Sequence, residues 1–180
     1  MVVAYALLGL LLAVEVFAIG RRRAGAERRD AGTFWLLHAL IGGGFTAAFW
    51  TTGARGIAAG PVASGAGIAL AVLGAGVRLW ALRVLGQWFT RDVHVSADQP
   101  VIDVGPYRLV RHPSYTGLLL IIAGIGVALG NVLAAALVLA PTLTALVIRV
   151  RVEEAALVDA LGAPYRQYMG RTKRFLPYII

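Results

Sequence analysis

The stretch Gly105-Pro-Tyr-Arg-Leu-Val-Arg-His-Pro-Ser-Tyr-Thr-Gly117 sets two arginines, a histidine, two tyrosines and two prolines against the start of an apolar run. Pro113 disfavours helical geometry at His112, so the histidine is expected in a turn with a helix beginning just after it. Polar side chains at the edge of an apolar span are costly unless they bind something. The next apolar run ends in a second polar cluster, Arg149-Val-Arg-Val-Glu-Glu154. Between the two runs lies Gly130-Asn131, an uncharged turn. The two clusters therefore read as two walls of one site, joined by a membrane hairpin.

Composition agrees with a membrane setting. Of 180 residues, 59% are hydrophobic, and the mean hydropathy is +0.76, well above a soluble norm. The net charge of +8 does not point to nucleic acid. Its cations gather between apolar runs, as they do where they set membrane orientation. With no Cys in the chain, disulfides, thiolate metal sites and a cysteine nucleophile are excluded. His38, His94 and His112 stand at spacings that make no metal motif.

Outward from the central stretch, five apolar spans are expected: Val2–Ile19, Phe34–Thr51, Val62–Leu85, Tyr115–Leu129 and Val132–Val150. A span of about 20 residues crosses a hydrocarbon core of about 30 Å. The first run is followed, not preceded, by five arginines between Arg21 and Arg29, the reverse of a secretory signal. Gly53 to Pro61 carries only Arg55, and Arg149 to the C-terminus carries six cations. The positive-inside rule then places the N-terminus outside, with the C-terminus and both polar clusters cytoplasmic. The expected fold class is all-α, a polytopic membrane protein with short cytoplasmic C-terminal helices. Residues 1–180 form a single integral membrane domain, with a two-span region over 1–60 and a catalytic region over 61–180. Glu153 to Leu161 reads as helical with Gly162 as its C-cap. A further short helix starts at Ala163-Pro164. The glycine-rich pieces Ser64-Gly-Ala-Gly67, Gly74-Ala-Gly76, Gly42-Gly-Gly44 and Gly124-Ile-Gly126 read as close helix packing.

Arg78 lies inside the third span, and an intramembrane arginine is by default a site residue unless it snorkels to the interface. Arg83 is nearer the edge and snorkels easily. Arg149 and Glu153 are four residues apart and share a helix face, either as a surface ion pair or as a carboxylate orienting an arginine toward an anion. His112, in its turn, is placed to stack on a ligand or donate to it. His38 is expected to bond a neighbouring helix, and Glu15 to have a structural partner. No nucleotide-binding glycine loop, phosphate loop or zincin motif is present, so a nucleotide-like cofactor would have to be held by helix ends and loops at the membrane face.

Gly105-Pro-Tyr-Arg-x-Val-Arg-His-Pro-Ser-Tyr-x-Gly117 resembles the signature of the isoprenylcysteine carboxyl methyltransferases and of related membrane phospholipid methyltransferases. The likeness continues through Glu153-Glu154, Leu157, Gly162, Tyr165, Tyr168 and Arg171-Thr-Lys-Arg-x-Leu-Pro177. It implies S-adenosylmethionine as methyl donor and a lipophilic or lipidated acceptor in the membrane. By that match Gln87, Gly105, Tyr107, His112, Pro113, Tyr115, Gly117 and Glu154 become candidates for holding the cofactor. Arg78, Arg149 and Glu153 become candidates for the catalytic, acceptor side. No metal and no nucleic acid are implied. Two other readings stay open: N-methylation of phosphatidylethanolamine, with the arginines on its phosphate, and a non-catalytic lipid-binding membrane protein.

Overall fold

The structure, a computed structural model, describes residues 32–52, 60–89 and 99–176. Five α-helices follow one another: α1 Thr33–Thr52, α2 Pro61–Leu85, α3 Pro113–Leu129, α4 Val132–Leu161 and α5 Ala163–Arg171. Short 3-10 turns occupy Gly86–Trp88 and Gly105–Arg108. Among the described residues there is no strand, only a single parallel bridge between Val110 and Lys173. The all-α expectation therefore holds for this part of the chain. The first expected span, Glu15, the arginines from Arg21 to Arg29, Arg55, Arg91, His94 and Pro177 lie outside the described residues.

Local sequence sets the helix ends. α2, α3 and α5 each carry proline in the first turn, where the missing N–H is not needed. α3 stops at Gly130, whose φ of 65° is the left-handed conformation that glycine adopts without penalty. Asn131 then caps α4, its side chain accepting from the Ala134 N–H at 2.9 Å. The hairpin expected at Gly130-Asn131 is thus built from one C-cap and one N-cap. The segment from Glu153 to Leu161 is not a separate helix, since α4 runs unbroken through 30 residues. At 1.5 Å per residue that is about 45 Å, longer than a hydrocarbon core of about 30 Å. The surplus turns carry the glutamates at its polar end.

Neighbouring contacts run α2 to α3, α3 to α4, and α4 to α1. The α2–α3 crossing is close because glycines face backbone. A Cβ on Gly117 would meet the Gly74 carbonyl oxygen at 2.6 Å, and one on Gly124 would meet the Ala71 nitrogen at 2.5 Å. Gly67 and Gly74 answer from α2, each against the α3 backbone. Ile121, Ile122, Leu146 and Val150 fill the centre. On the outside, Trp35, Val62, Leu73, Trp80, Val132 and Leu143 are exposed apolar side chains on helices. Such an apolar exterior suits lipid better than water. Pro61–Trp88 and Val132–Leu161 are long and apolar enough to cross a membrane, while Thr33–Ala48 and Pro113–Ala128 are shorter apolar helices.

His38 departs from expectation. Its Nδ1 bonds the Phe34 carbonyl of its own helix at 2.8 Å, with the two rings 4.1 Å apart. A carbonyl one turn back satisfies the imidazole without a second helix.

Candidate functional site

The two polar clusters of the sequence do meet, and the C-terminal tail binds them together. The Arg111 N–H donates to the Lys173 carbonyl at 2.7 Å, and the His112 N–H to that of Arg174 at 3.0 Å. The Thr116 hydroxyl donates to the Phe175 carbonyl at 2.8 Å. The Arg111 guanidinium reaches the carbonyls of Met169 and Thr172. Residues 172–176 therefore lie as a strap along the loop that precedes α3.

Glu154, on α4, ties this strap to the bundle. One carboxylate oxygen accepts from Arg111 Nε at 2.8 Å and meets His112 Nε2 at 3.3 Å. The other accepts from Arg174 Nε at 2.9 Å and Nη2 at 2.7 Å. The carboxylate is buried, and cations of its own chain take both its oxygens. The charge-assisted bonds from Arg111 and Arg174 are short and directional and fix the loop and the tail, with His112 in longer contact.

A second network lies beside it. Arg78 is buried and not snorkelled: its Nη1 donates to the Ser114 carbonyl at 3.0 Å and to the Ser114 hydroxyl at 2.8 Å. Arg149 is buried too, and its Nε donates to the Tyr115 hydroxyl at 2.8 Å. That hydroxyl donates in turn to Glu153 at 2.9 Å. Arg149 and Glu153, expected to share a face, are thus linked through a phenol from α3. From α1, the Thr33 hydroxyl accepts from Arg149 Nη1 at 3.1 Å, and the Phe34 ring lies 5.9 Å from the guanidinium carbon. Two guanidinium groups, from α2 and α4, are therefore anchored on consecutive residues of α3.

The remaining candidates frame this pair. The His112 and Tyr115 rings stack at 5.7 Å. Pro113 opens α3. Gly105 has a φ of 58° and packs against Val84 and Trp80, a place where a Cβ would be strained. The Tyr107 carbonyl accepts from the Tyr168 hydroxyl at 2.7 Å. Gly117 sits at the helix crossing, against backbone of Gly74 and Arg78. Gln87 and Arg83 stand apart, exposed at the end of α2 and on the turn after it. The sequence reading passed over Thr33, Phe34, Ser114 and the salt-bridge roles of Arg111 and Arg174. Ser114 and Arg111 lie inside the central motif and Arg174 inside the tail motif, so their types were in view but their partners were not. Thr33 and Phe34 carry no sequence signal.

The resemblance calls for a sulfonium donor, and the donor set here can be tested against it. Glu153 is half-buried; one oxygen accepts from Tyr115, and among the described residues no hydrogen bond occupies the other. Burial first, and the Glu153 charge second, push the phenols of Tyr107 and Tyr165 well above their ordinary range. Both phenols therefore stay neutral at ordinary pH. A carboxylate held by the Tyr115 hydroxyl suits a cation of low hydration, and the His112–Tyr115 stack offers a flat face to a nucleobase. The residues fit S-adenosylmethionine. Among the described residues no cluster of His, Asp and Glu fits a metal ion.

A model of the isoprenylcysteine carboxyl methyltransferase family matches residues 67–159. A probable protein-S-isoprenylcysteine O-methyltransferase of Oryza sativa subsp. indica is 30% identical over 115 residues, covering 63% of this chain and 60% of the relative. Protein-S-isoprenylcysteine O-methyltransferase B of Arabidopsis thaliana is 27% identical over 115 residues, covering 63% of this chain and 58% of its own length. The chain thus spans under two thirds of these relatives. A solved structure of a eukaryotic intramembrane Ras methyltransferase aligns with a TM-score of 0.59 at 24% identity, covering 83% of this chain and 53% of that one. At that identity the likeness speaks for the fold.

Proposed function

Because this chain belongs to the isoprenylcysteine carboxyl methyltransferase family, we propose that it is a membrane methyltransferase using S-adenosylmethionine on the carboxylate of a lipophilic, isoprenylcysteine-like acceptor. The observation that carries the reading is the pair of buried guanidinium groups, Arg78 on Ser114 and Arg149 on Tyr115. Against them Glu153 supplies one negative charge through the Tyr115 hydroxyl. Two buried guanidinium groups held side by side on α3 suit an anionic acceptor.

The chemistry asks little of a base. S-adenosylmethionine supplies, when bound, an electrophilic methyl on a sulfonium centre. A carboxylate acceptor is already ionised at neutral pH. The chain's task is to place it in line and to strip part of its water. Arg78 and Arg149 hold the acceptor carboxylate from two helices. Glu153, held by the Tyr115 hydroxyl, would offer its charge to the donor's sulfonium. His112 and Tyr115 form the flat wall, with Gly105 and Pro113 shaping the loop behind them. Glu154 acts at one remove by holding the loop and the strap. Both guanidinium groups have protein partners, which keeps them from gripping the acceptor so tightly that the ground state is favoured over the transition state.

In this reading the chain is one membrane domain of five spans, 1–60 forming a two-span region and 61–180 the catalytic one. The N-terminus lies outside and the site at the cytoplasmic face. The charge asymmetry of the connecting segments supports that orientation.

The test is transfer of a labelled methyl group by the purified full chain in nanodiscs, offered N-acetyl-S-farnesylcysteine or phosphatidylethanolamine. A base-labile methyl ester on the prenylcysteine supports the reading. Label on the phospholipid amine moves it to N-methylation. Failure of the folded protein to bind S-adenosylhomocysteine defeats both.

A further inference from the structure

We infer that Thr33 and Phe34, on the first turn of α1, are positioning residues for Arg149, so that α1 completes the acceptor side of the site from outside the family-matched segment. The inference rests on the carboxyl-methyltransferase reading above. It starts from the geometry of one guanidinium. Arg149 Nε is held by Tyr115 of α3 at 2.8 Å and Nη1 by Thr33 of α1 at 3.1 Å. A guanidinium is planar, so two anchored N–H directions fix its plane. Phe34 then covers the group from one side, its ring 5.9 Å from the guanidinium carbon.

Thr33 and Arg149 are each buried, with 4% and 5% of their surfaces exposed, so this bond does not compete with bulk water. Phe34 is 8% exposed and closes the same side. α1 packs along α4, the helix that carries Arg149, and the hydroxyl sits at the end of α1 that reaches the site. Residues 33 and 34 lie outside 67–159, where the family model matches. The matched segment supplies Arg149, Tyr115 and Glu153; α1 supplies the second anchor that orients the arginine. An arginine side chain left to find its own rotamer spreads over many orientations, and misplacing a binding group by about 1 Å can cost about a hundredfold in rate.

The experiment uses the full chain in nanodiscs, with Thr33→Val as an isosteric loss of the hydroxyl, Thr33→Ser as its retention, and Phe34→Leu. Methyl transfer to N-acetyl-S-farnesylcysteine and S-adenosylhomocysteine affinity are measured together. In parallel, phenylglyoxal labelling of Arg149 is followed by peptide mass spectrometry, a readout that needs no turnover. For loss of one hydrogen bond to a charged group, kcat/KM for the acceptor should fall about tenfold in Thr33→Val while cofactor affinity stays within about twofold. Labelling of Arg149 should accelerate several-fold in the same variant. Thr33→Ser should restore both to near the wild type, and Phe34→Leu should fall between. Wild-type kinetics and labelling in Thr33→Val overturn the inference. So does an equal loss in Thr33→Val and Thr33→Ser with cofactor affinity falling in step, which marks a packing role. A wild type that makes no methyl ester defeats the carboxyl-methyltransferase reading, and with it this residue's catalytic part. Labelling that still differs between Val and Ser would then separate that failure from a failure of the Thr33–Arg149 contact.

Discussion

At Tyr115 one hydroxyl serves two partners, accepting from Arg149 Nε at 2.8 Å and donating to Glu153 at 2.9 Å. Its removal in Tyr115→Phe leaves an arginine and a carboxylate each short of a partner while keeping the ring that stacks on His112. Hydrogen bonds to charged groups are worth about 1.5–3 kcal/mol. Turnover should therefore drop by roughly ten- to a hundredfold, with S-adenosylhomocysteine affinity changed much less. A Tyr115→Phe enzyme within twofold of the wild type in steady-state methyl transfer would remove this hydroxyl from the mechanism. Glu154 calls for the opposite readout. Its carboxylate is 5% exposed and is shared by Arg111, at 9%, and Arg174, at 38%. Glu154→Ala strands buried charge, and breaking such a group by deleting one partner costs about 3–5 kcal/mol. Arg174→Ala should cost well under that, because water reaches its guanidinium and screens it. Thermal unfolding in detergent should rank Glu154→Ala as the most damaged, then Arg111→Ala, then Arg174→Ala. Equal midpoints for all three would mean that the strap is not held by this carboxylate.

Between elements, the α2–α3 crossing rests on glycines seven residues apart on each helix, Gly67 and Gly74 against Gly117 and Gly124. Gly117→Ala would drive a methyl to 2.6 Å from the Gly74 carbonyl oxygen, and backbone cannot step aside as a flexible side chain can. Gly76→Ala, two residues before Arg78 but with nothing within 4 Å of the added carbon, is the control. A glycine inside a helix is about 0.5–1 kcal/mol worse than alanine, so Gly76→Ala should be neutral or mildly stabilising. Gly117→Ala should unfold earlier and lose activity, since the same turn of α3 carries Ser114 and Tyr115. Matching unfolding curves would show that the crossing tolerates a wider spacing. The comparison also marks how far the sequence could be read. Small residues in apolar runs announce close packing, but not which face packs: Gly67 and Gly74 touch α3, whereas Gly65 and Gly76 meet open space. The start of α3 at Pro113 was legible because proline chemistry is local. So were Arg78 and Arg149, because a charge in an apolar span needs a reason. The strap was not. Val110 pairs with Lys173 and Arg111 with Glu154 across separations in sequence that leave no periodic trace. Thr33 was invisible for the same reason, an ordinary residue made specific by its partner.

Over the whole molecule, an apolar bundle carries a polar cap made of the loop at Gly105–Arg108, α5 and the tail, and the two should respond differently to alkali. Three phenols lie buried in the cap. The Tyr168 hydroxyl donates a hydrogen bond to the Tyr107 carbonyl at 2.7 Å, and Tyr107 and Tyr165 are buried where the Glu153 charge acts on them. Burial is the first cause that pushes all three phenols above their usual range, with the carboxylates adding to it at Tyr107 and Tyr165. A phenol raised in the folded state keeps its proton longer there than in the unfolded chain. Its contribution to stability is therefore full below the ordinary tyrosine value of about 10, and declines as pH rises above that toward the folded value. The slope has this sign because between those two values the folded state binds more protons than the unfolded one. The bundle core, built of Ile121, Ile122, Leu146 and Val150, has no such dependence. Raising the pH above about 10 should therefore abolish S-adenosylhomocysteine binding while far-ultraviolet dichroism still reports the apolar helices. Tyrosinate absorbance from these residues should rise together with that loss of binding. If instead all six tyrosines titrate near the ordinary value with binding intact, the phenols of the cap are exposed to water, and donor binding does not depend on them.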